Sequence, residues 1–204
     1  FPNRYSISLI NCEKINNTNI NSLIKNFYND TLLLDQNACS SPKIIFWMND
    51  NKKKKDLFWK KYLNFVKKKY NFDYNKSFLK ITDTQNILLH LNKEVEEFKN
   101  LENQIHLIKL KKMTKKIENF ENKFGLFLEF TVKNLNFLSF FSSKKLQTLS
   151  YFGFKKDYFL SNINKNNNFR TMRRIVPIGR TLEINLEWDG YNIIEFLSKK
   201  ISIL

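Results

Sequence analysis

The sequence predicts an α/β fold, three-layered and built on a mainly parallel sheet. Three observations carry this. Segments with strand-type apolar patterning alternate with amphipathic helical segments along most of the chain. One of them, Ile44-Ile45-Phe46-Trp47-Met48, is apolar without interruption, as suits a strand covered on both faces of a parallel sheet. And only 4 Gly and 3 Pro occur among 204 residues, too few for a turn-dense all-β chain.

The elements follow in order. Tyr5, Ile7 and Leu9 alternate with Ser6, Ser8 and Ile10, which reads as a strand. Ile20, Leu23, Ile24 and Phe27 have helical spacing, in a helix expected to run to about Leu34. Asp35-Gln36-Asn37-Ala38-Cys39-Ser40-Ser41-Pro42 breaks the pattern, because Pro42 cannot continue a helix. After the apolar run, Asn49 or Asp50 can cap a helix with Leu57, Phe58, Tyr62, Phe65, Val66 and Tyr70 on one stripe. A second amphipathic helix is expected from a cap at Thr82 or Asp83, with Leu88, Leu91, Val95 and Phe98 in register. Strands are expected at Ile105 to Leu110, Leu126 to Val132, Leu146 to Tyr151 and Arg174 to Ile178. Short helices are expected around Leu135, Leu138 and Phe141 and from Asp157 to Ile163. Lys111 to Lys123 reads as a surface excursion, Lys165 to Asn168 as a loop, and Leu182 to Trp188 as extended. Asp189 can cap a closing helix with Ile193, Ile194 and Leu197 as its apolar positions. No internal repeat or linker breaks residues 1–204, so one domain is expected.

Composition excludes several classes. Hydrophobic residues make up 42% and aromatics 15%, enough for a packed core. Two Cys exclude a disulfide-built scaffold and a four-Cys zinc site. No apolar run reaches the ~20 residues a membrane-spanning helix needs. The first strand follows at once on Phe1-Pro2-Asn3-Arg4 with no secretory-type segment, so a reducing cytoplasm is expected; lacking an initial Met, the chain is expected to be a piece of a longer protein. The excess of 35 basic over 19 acidic residues, +16, points to an anionic partner. Yet Lys, Asn, Ile and Phe are enriched together, as codon drift in an AT-rich genome would produce. The densest run, Lys52 to Lys55, is better read as the solvated lead-in of a helix than as a nucleic-acid clamp.

Cys39 is the sharpest candidate for chemistry. It lies in a polar turn between a helix and a covered strand. As a nucleophile it would act as a thiolate, with Ser40 and Ser41 adding donors and the turn amides able to hold an oxyanion. An inert buried thiol fits the same position. Cys12 lacks a polar setting, and His90 and His106 have no acid at triad-like or metal-like spacing, so they receive no role. Glu129 and Glu187 read as exposed strand positions. No Gly-rich phosphate loop occurs.

The segment Asp35 to Pro42 resembles the active-site segment of LuxC-type long-chain fatty acyl-CoA reductases, within the aldehyde dehydrogenase superfamily. Asn3-Arg4-Tyr5-Ser6-Ile7-Ser8 is similar to the segment that precedes the catalytic Cys of that family. Gln147-Thr148-Leu149-Ser150-Tyr151 with Gly153 is similar to its Gln-Thr strand. Arg174 to Gly179 and Trp188-Asp189-Gly190-Tyr191, with Ile193-Ile194 and Leu197-Ser198 after them, resemble its C-terminal signature. The matches run in family order, although Lys52 to Phe124 matches only in its pattern of elements.

The resemblance implies the catalytic portion of an aldehyde dehydrogenase-type domain. It implies that Cys39 attacks the thioester of an acyl-CoA or acyl-protein donor and keeps the acyl group, and that NADPH then supplies the hydride that yields a fatty aldehyde. Ser40 and Asn37 are the candidate oxyanion or orienting residues, and Gln147, Trp188 and Asp189 read as scaffold. The family's cofactor-binding domain precedes the catalytic Cys. It is not recognisable in this sequence, so a cofactor-binding half is expected in the same or another chain. A homo-oligomer is also implied, with no metal and no nucleic acid. Two other readings compete. One is a non-catalytic family remnant kept as an interaction module. The other, favoured only by the charge, is a basic nucleic-acid-binding domain.

Overall fold

The computed structural model describes residues 4–141, 145–163, 172–188 and 191–199. The chain runs β1 (Tyr5–Asn11), α1 (Ile20–Asp30), β2 (Pro42–Met48), α2 (Lys52–Lys69), α3 (Tyr74–His90), β3 (Val95–Leu101) and β4 (Ile105–Leu110). It continues through β5 (Leu126–Val132), β6 (Leu146–Phe152), α4 (Lys156–Ile163), β7 (Arg174–Pro177), β8 (Glu187–Trp188), β9 (Tyr191–Asn192) and α5 (Ile193–Leu197). Strands β1 to β7 form a seven-stranded sheet in the order β3-β4-β5-β2-β1-β6-β7. Only the β3–β4 pair is antiparallel, so the expected mainly parallel α/β sheet is present.

Helices cover both faces. Ile45 and Trp47 of β2 point to one side, into a cluster with Leu23, Ile24 and Phe27 of α1 and Phe58, Trp59 and Tyr62 of α2. Ile44, Phe46 and Met48 point to the other side, against Ile87 of α3, Phe159 of α4 and Leu135 and Leu138 of a short 3-10 turn. Every residue of β1 and β2 is therefore buried. This is why the sequence of β2 is apolar at successive positions rather than alternating. Among the described residues no helix is long and apolar enough to cross a membrane.

Several sequence expectations are corrected. The helix expected from Thr82 or Asp83 to Phe98 starts earlier, capped by Asp73, whose side chain accepts from the Lys76 N–H, and it ends at His90. Val95 and Phe98 lie instead on edge strand β3, where charged neighbours face solvent. The cap of α2 is Asn51, not Asn49 or Asp50. Asn49 ends β2 in a left-handed conformation, and Asp50 is held by Lys55 and Thr131. α1 stops at Asp30 and gives way to a 3-10 turn at Leu32–Leu34. Asn192 caps α5, while the expected cap Asp189 and the expected loop Lys165 to Asn168 lie outside the described residues.

Glu129 is the largest departure, because it is buried rather than exposed. β5 lies between β4 and β2 with both faces covered, so a mid-strand side chain cannot reach bulk water. The indole N–H groups of Trp47 and Trp59 both donate to Glu129 Oε1, at 2.5 and 2.9 Å, and burial pushes its carboxyl up.

Asp30 is the second buried acid. Its carboxylate accepts the N–H groups of Gly179 and Thr181 at 2.6 and 3.1 Å, tying the end of α1 to the segment after β7. Burial outweighs these bonds and raises its pKa from 3.8 to about 6. The folded state then holds a proton that the unfolded chain has released, so this group's stabilisation is complete below pH 3.8 and lost as pH rises through about 6. Over that window the thermal midpoint of the wild type should fall relative to that of Asp30→Asn. The difference should correspond to at most roughly 3 kcal/mol, and calorimetry at stepped pH values measures it.

Candidate functional site

Because the strands are parallel, β1, β2, β5, β6 and β7 all begin at one edge of the sheet. The turn carrying Cys39 delivers the chain into β2 at this amino edge. Its shape is unusual for L residues. Asp35 and Gln36 both have positive φ, 56° and 57°, and side-chain bonds hold each in place. Asp35 Oδ1 accepts from Tyr70 Oη at 2.5 Å and from Lys76 Nζ at 3.0 Å. Gln36 is fully buried; its Nε2 donates to the carbonyls of Pro42 and Leu126, and its Oε1 accepts the Gly125 N–H at 2.7 Å.

Cys39 is exposed, whereas Cys12 is buried. Burial pushes the Cys12 thiol up, which makes it the poorer nucleophile. Ser6 fixes the backbone of Cys39: its Oγ–H donates to the Cys39 carbonyl at 2.7 Å, and the same oxygen accepts the Thr148 N–H at 3.2 Å. The register of β1 shifts at this point against both β2 and β6, which aims the Ser6 hydroxyl at the turn. The Ser41 N–H closes the turn on the Ala38 carbonyl at 2.9 Å. Asn37 is exposed, and its N–H is used on the Leu34 carbonyl at 2.8 Å. Among the described residues the backbone N–H groups of Cys39 and Ser40 make no backbone hydrogen bond.

Ser40 and Asn37 therefore divide. Ser40 is buried at 5% exposure. The Asn37 side chain is at the surface of the turn. Lys43, where the chain enters β2, is buried; burial pushes its ammonium down, and the charged side chains around it are Glu121, Lys123 and Asp83. Neither histidine joins the site. His106 Nδ1 is bound to Thr84 Oγ1 between β4 and α3, and His90 is bound to a carbonyl of its own helix. Gln147 is buried on β6, and Trp188 stacks on the Arg174 guanidinium at 4.3 Å. Among the described residues no group of three or more metal-ligating side chains exists. Cavities of about 920 and 460 Å³ lie along β7, lined by residues of β7, α4 and the C-terminal segment rather than by Cys39.

Sequence reasoning missed the roles of Ser6 and Gln36. A serine at the start of a strand buried on both faces, and an amide flanked by Asp and Asn in a turn, were the available signals.

Solved structures resemble this arrangement. Salicylaldehyde dehydrogenase from Pseudomonas putida G7, complexed with salicylaldehyde, superposes with a TM-score of 0.54 at 12% identity, over 89% of this chain and 39% of that one. The fold is that of an aldehyde dehydrogenase catalytic domain. The Delta-pyrroline-5-carboxylate dehydrogenase from Mycobacterium tuberculosis bound with NAD and cobalamin gives 0.54 at 8% identity, over 85% and 35%. Aldehyde dehydrogenase 21 from Physcomitrella patens, in complex with succinate, gives 0.51 at 10%, over 86% and 38%. The chain thus spans well under half the length of these enzymes. No protein-family model and no curated protein sequence matches it.

Two outcomes test the site. A thiol reagent such as iodoacetamide should modify one cysteine of the folded protein, mapped to Cys39 by mass spectrometry, and both cysteines after unfolding. Ser6→Ala leaves the Cys39 carbonyl and the Thr148 N–H without their partner; it should destabilise the protein by about 1–3 kcal/mol in urea unfolding.

Proposed function

We propose that this chain is the acyl-accepting portion of an aldehyde-forming, long-chain acyl-CoA reductase. One observation carries the reading: an exposed thiol sits on a turn whose Cys39 carbonyl is pinned by Ser6 and whose Cys39 and Ser40 N–H groups make no backbone hydrogen bond among the described residues. The aldehyde dehydrogenase fold and the sequence resemblance of the Cys39 segment support it.

The chemistry of these residues is thioester exchange. The Cys39 thiolate adds to the acyl carbonyl of the donor, an acyl-CoA or an acyl-protein. The carbonyl oxygen takes up negative charge beside the Cys39 and Ser40 N–H groups, which would hold it as an oxyanion. Collapse breaks the bond to the departing sulfur, which leaves as a thiolate, and the acyl group remains on Cys39 as a new thioester. A thiolate is both a good nucleophile and a good leaving group, so no water-activating base is needed for this transfer. A nucleophile of this kind calls for a reducing compartment such as the cytoplasm.

A nicotinamide cofactor, NADPH in this reading, would supply the hydride for reduction. The described residues do not fit it. Gly125, Gly153 and Gly179 are each crowded by protein atoms, with a Cβ meeting Gln104 O, Lys14 Cβ and Asn26 Cγ at 2.6, 2.8 and 2.7 Å. They serve close packing, and none opens a phosphate cradle at the start of a helix. No reduction step is assigned to these residues. The reading gives that step to a cofactor-binding half in the same or another chain, and it takes the working enzyme to be a homo-oligomer.

Exposure to labelled long-chain acyl-CoA should add one acyl mass, mapped to Cys39, labile to hydroxylamine and absent from Cys39→Ala. With NADPH added, the 204-residue chain alone should release no aldehyde. Folded protein that gains no acyl mass would overturn the acyl-accepting role and favour a non-catalytic interaction module. Aldehyde formed by the chain alone would overturn the division of labour.

A further inference from the structure

We propose that the groove between α1 and α2 is a docking site for an acidic amphipathic helix of a partner protein. The groove lies on the outer face of the two helices that cover one side of the sheet, and it encloses about 340 Å³. Its walls repeat at helical spacing. α1 contributes Ile24 and Lys25, and α2 contributes Lys61, Phe65 and Lys68. Ile24 forms the floor, and the rings of Tyr28 and Phe65, half-buried and 5.2 Å apart edge to face, close one end.

Charge complementarity identifies the occupant. The acids on these helices are Asp30, which is buried and bound to backbone N–H groups, and Asp56, which faces Lys99. No carboxylate lines the groove. Lys61 gives one donor to Asn21 Oδ1 at 3.1 Å, and an ammonium carries three. Lys25 and Lys68 are exposed at the rim without an acid partner, whereas neighbouring Lys67 is already paired with Glu102. Three ammonium groups, spread over about two turns of α2 or ~10 Å, thus frame a short apolar patch of Ile24 and Phe65 with Tyr28 beside it, and Asn21 and Asn64 complete the walls. A helix with leucines on one face and glutamates flanking them matches both features. Its leucines cover Phe65, Tyr28 and the lysine stems, and its carboxylates meet the ammonium heads. A nucleic-acid backbone would use the charges but leave the patch uncovered. The inference does not depend on the acyl-transfer reading.

The probe is a fluorescein-labelled synthetic amphipathic helix with Leu on one face and Glu on its flanks. It is compared with a scrambled peptide of equal composition, duplex DNA and phosphatidylserine vesicles. The expected result is preferential binding of the amphipathic peptide, with hydrogen-exchange protection confined to α1 and α2. The triple variant Lys25→Glu, Lys61→Glu, Lys68→Glu should bind at least about tenfold more weakly, and Phe65→Ala should also weaken binding. Lys52→Glu, Lys53→Glu, at the start of α2 and outside the groove, should bind like the wild type. Circular dichroism and thermal midpoints confirm that each variant is folded. Equal binding of the scrambled peptide, equal loss in the Lys52/Lys53 control, or stronger binding to DNA or vesicles would each overturn the proposal.

Discussion

The buried Gln36 carboxamide is the interaction on which the candidate site depends. Its two N–H donors and one carbonyl oxygen meet the carbonyls of Pro42 and Leu126 and the N–H of Gly125, so a single side chain joins the turn, the start of β2 and the start of β5. Three residues later the chain exposes a thiol. Each orphaned buried polar group costs about 1–3 kcal/mol; in this turn Gln36 is paired at every polar atom, while the Ser41 hydroxyl is buried without a partner among the described residues. The left-handed backbone at Asp35 and Gln36 is strained for L residues, and the bonds of their side chains hold it.

Ser6 performs the matching task on the other side. Its hydroxyl donates to the turn and accepts from β6, so the Cys39 carbonyl is referenced to two strands of the sheet rather than to a mobile loop. Glu129 and Asp30 obey the same rule elsewhere: each buried carboxylate collects two N–H donors, and each ties a helix to the sheet or to the segment beyond it.

The parts legible in the sequence were those set by burial on a single chain segment. The apolar run of β2 and the break before Pro42 located the strand and the Cys39 turn with no knowledge of partners. What was illegible depended on residues far apart. Leu88, Leu91, Val95 and Phe98 keep helical spacing across a boundary, and only the sheet edge offered by β4 turns the second half into a strand. The start of α3 was hidden because Phe78, Leu79 and Ile81 remain exposed and give no inward stripe. Glu129 could not be read as buried without Trp59, 70 residues away, and Ser6 could not be linked to Cys39 without the shifted register. The Cys39 turn was legible as a place; its electrostatics were not.

The allocation of polar groups also explains why the site lies at the amino edge, although ligands of open parallel sheets more often bind beyond the carboxyl ends of strands. At the carboxyl edge Asn11 Oδ1 accepts from the Glu13 N–H and Asn49 Nδ2, and Asp50 is held by Lys55 and Thr131. Lys54 Nζ is bound to the Glu13 carbonyl, and Gly153 is packed against Asn11 and Lys14. These donors and acceptors are satisfied within the chain. The amino edge differs: its long-range bonds are made by Gln36 and Ser6, Cys39 is exposed, and among the described residues the Cys39 and Ser40 N–H groups make no backbone hydrogen bond. Where hydrogen-bonding capacity is left over in this fold is decided by which side chains the buried strands could satisfy from within.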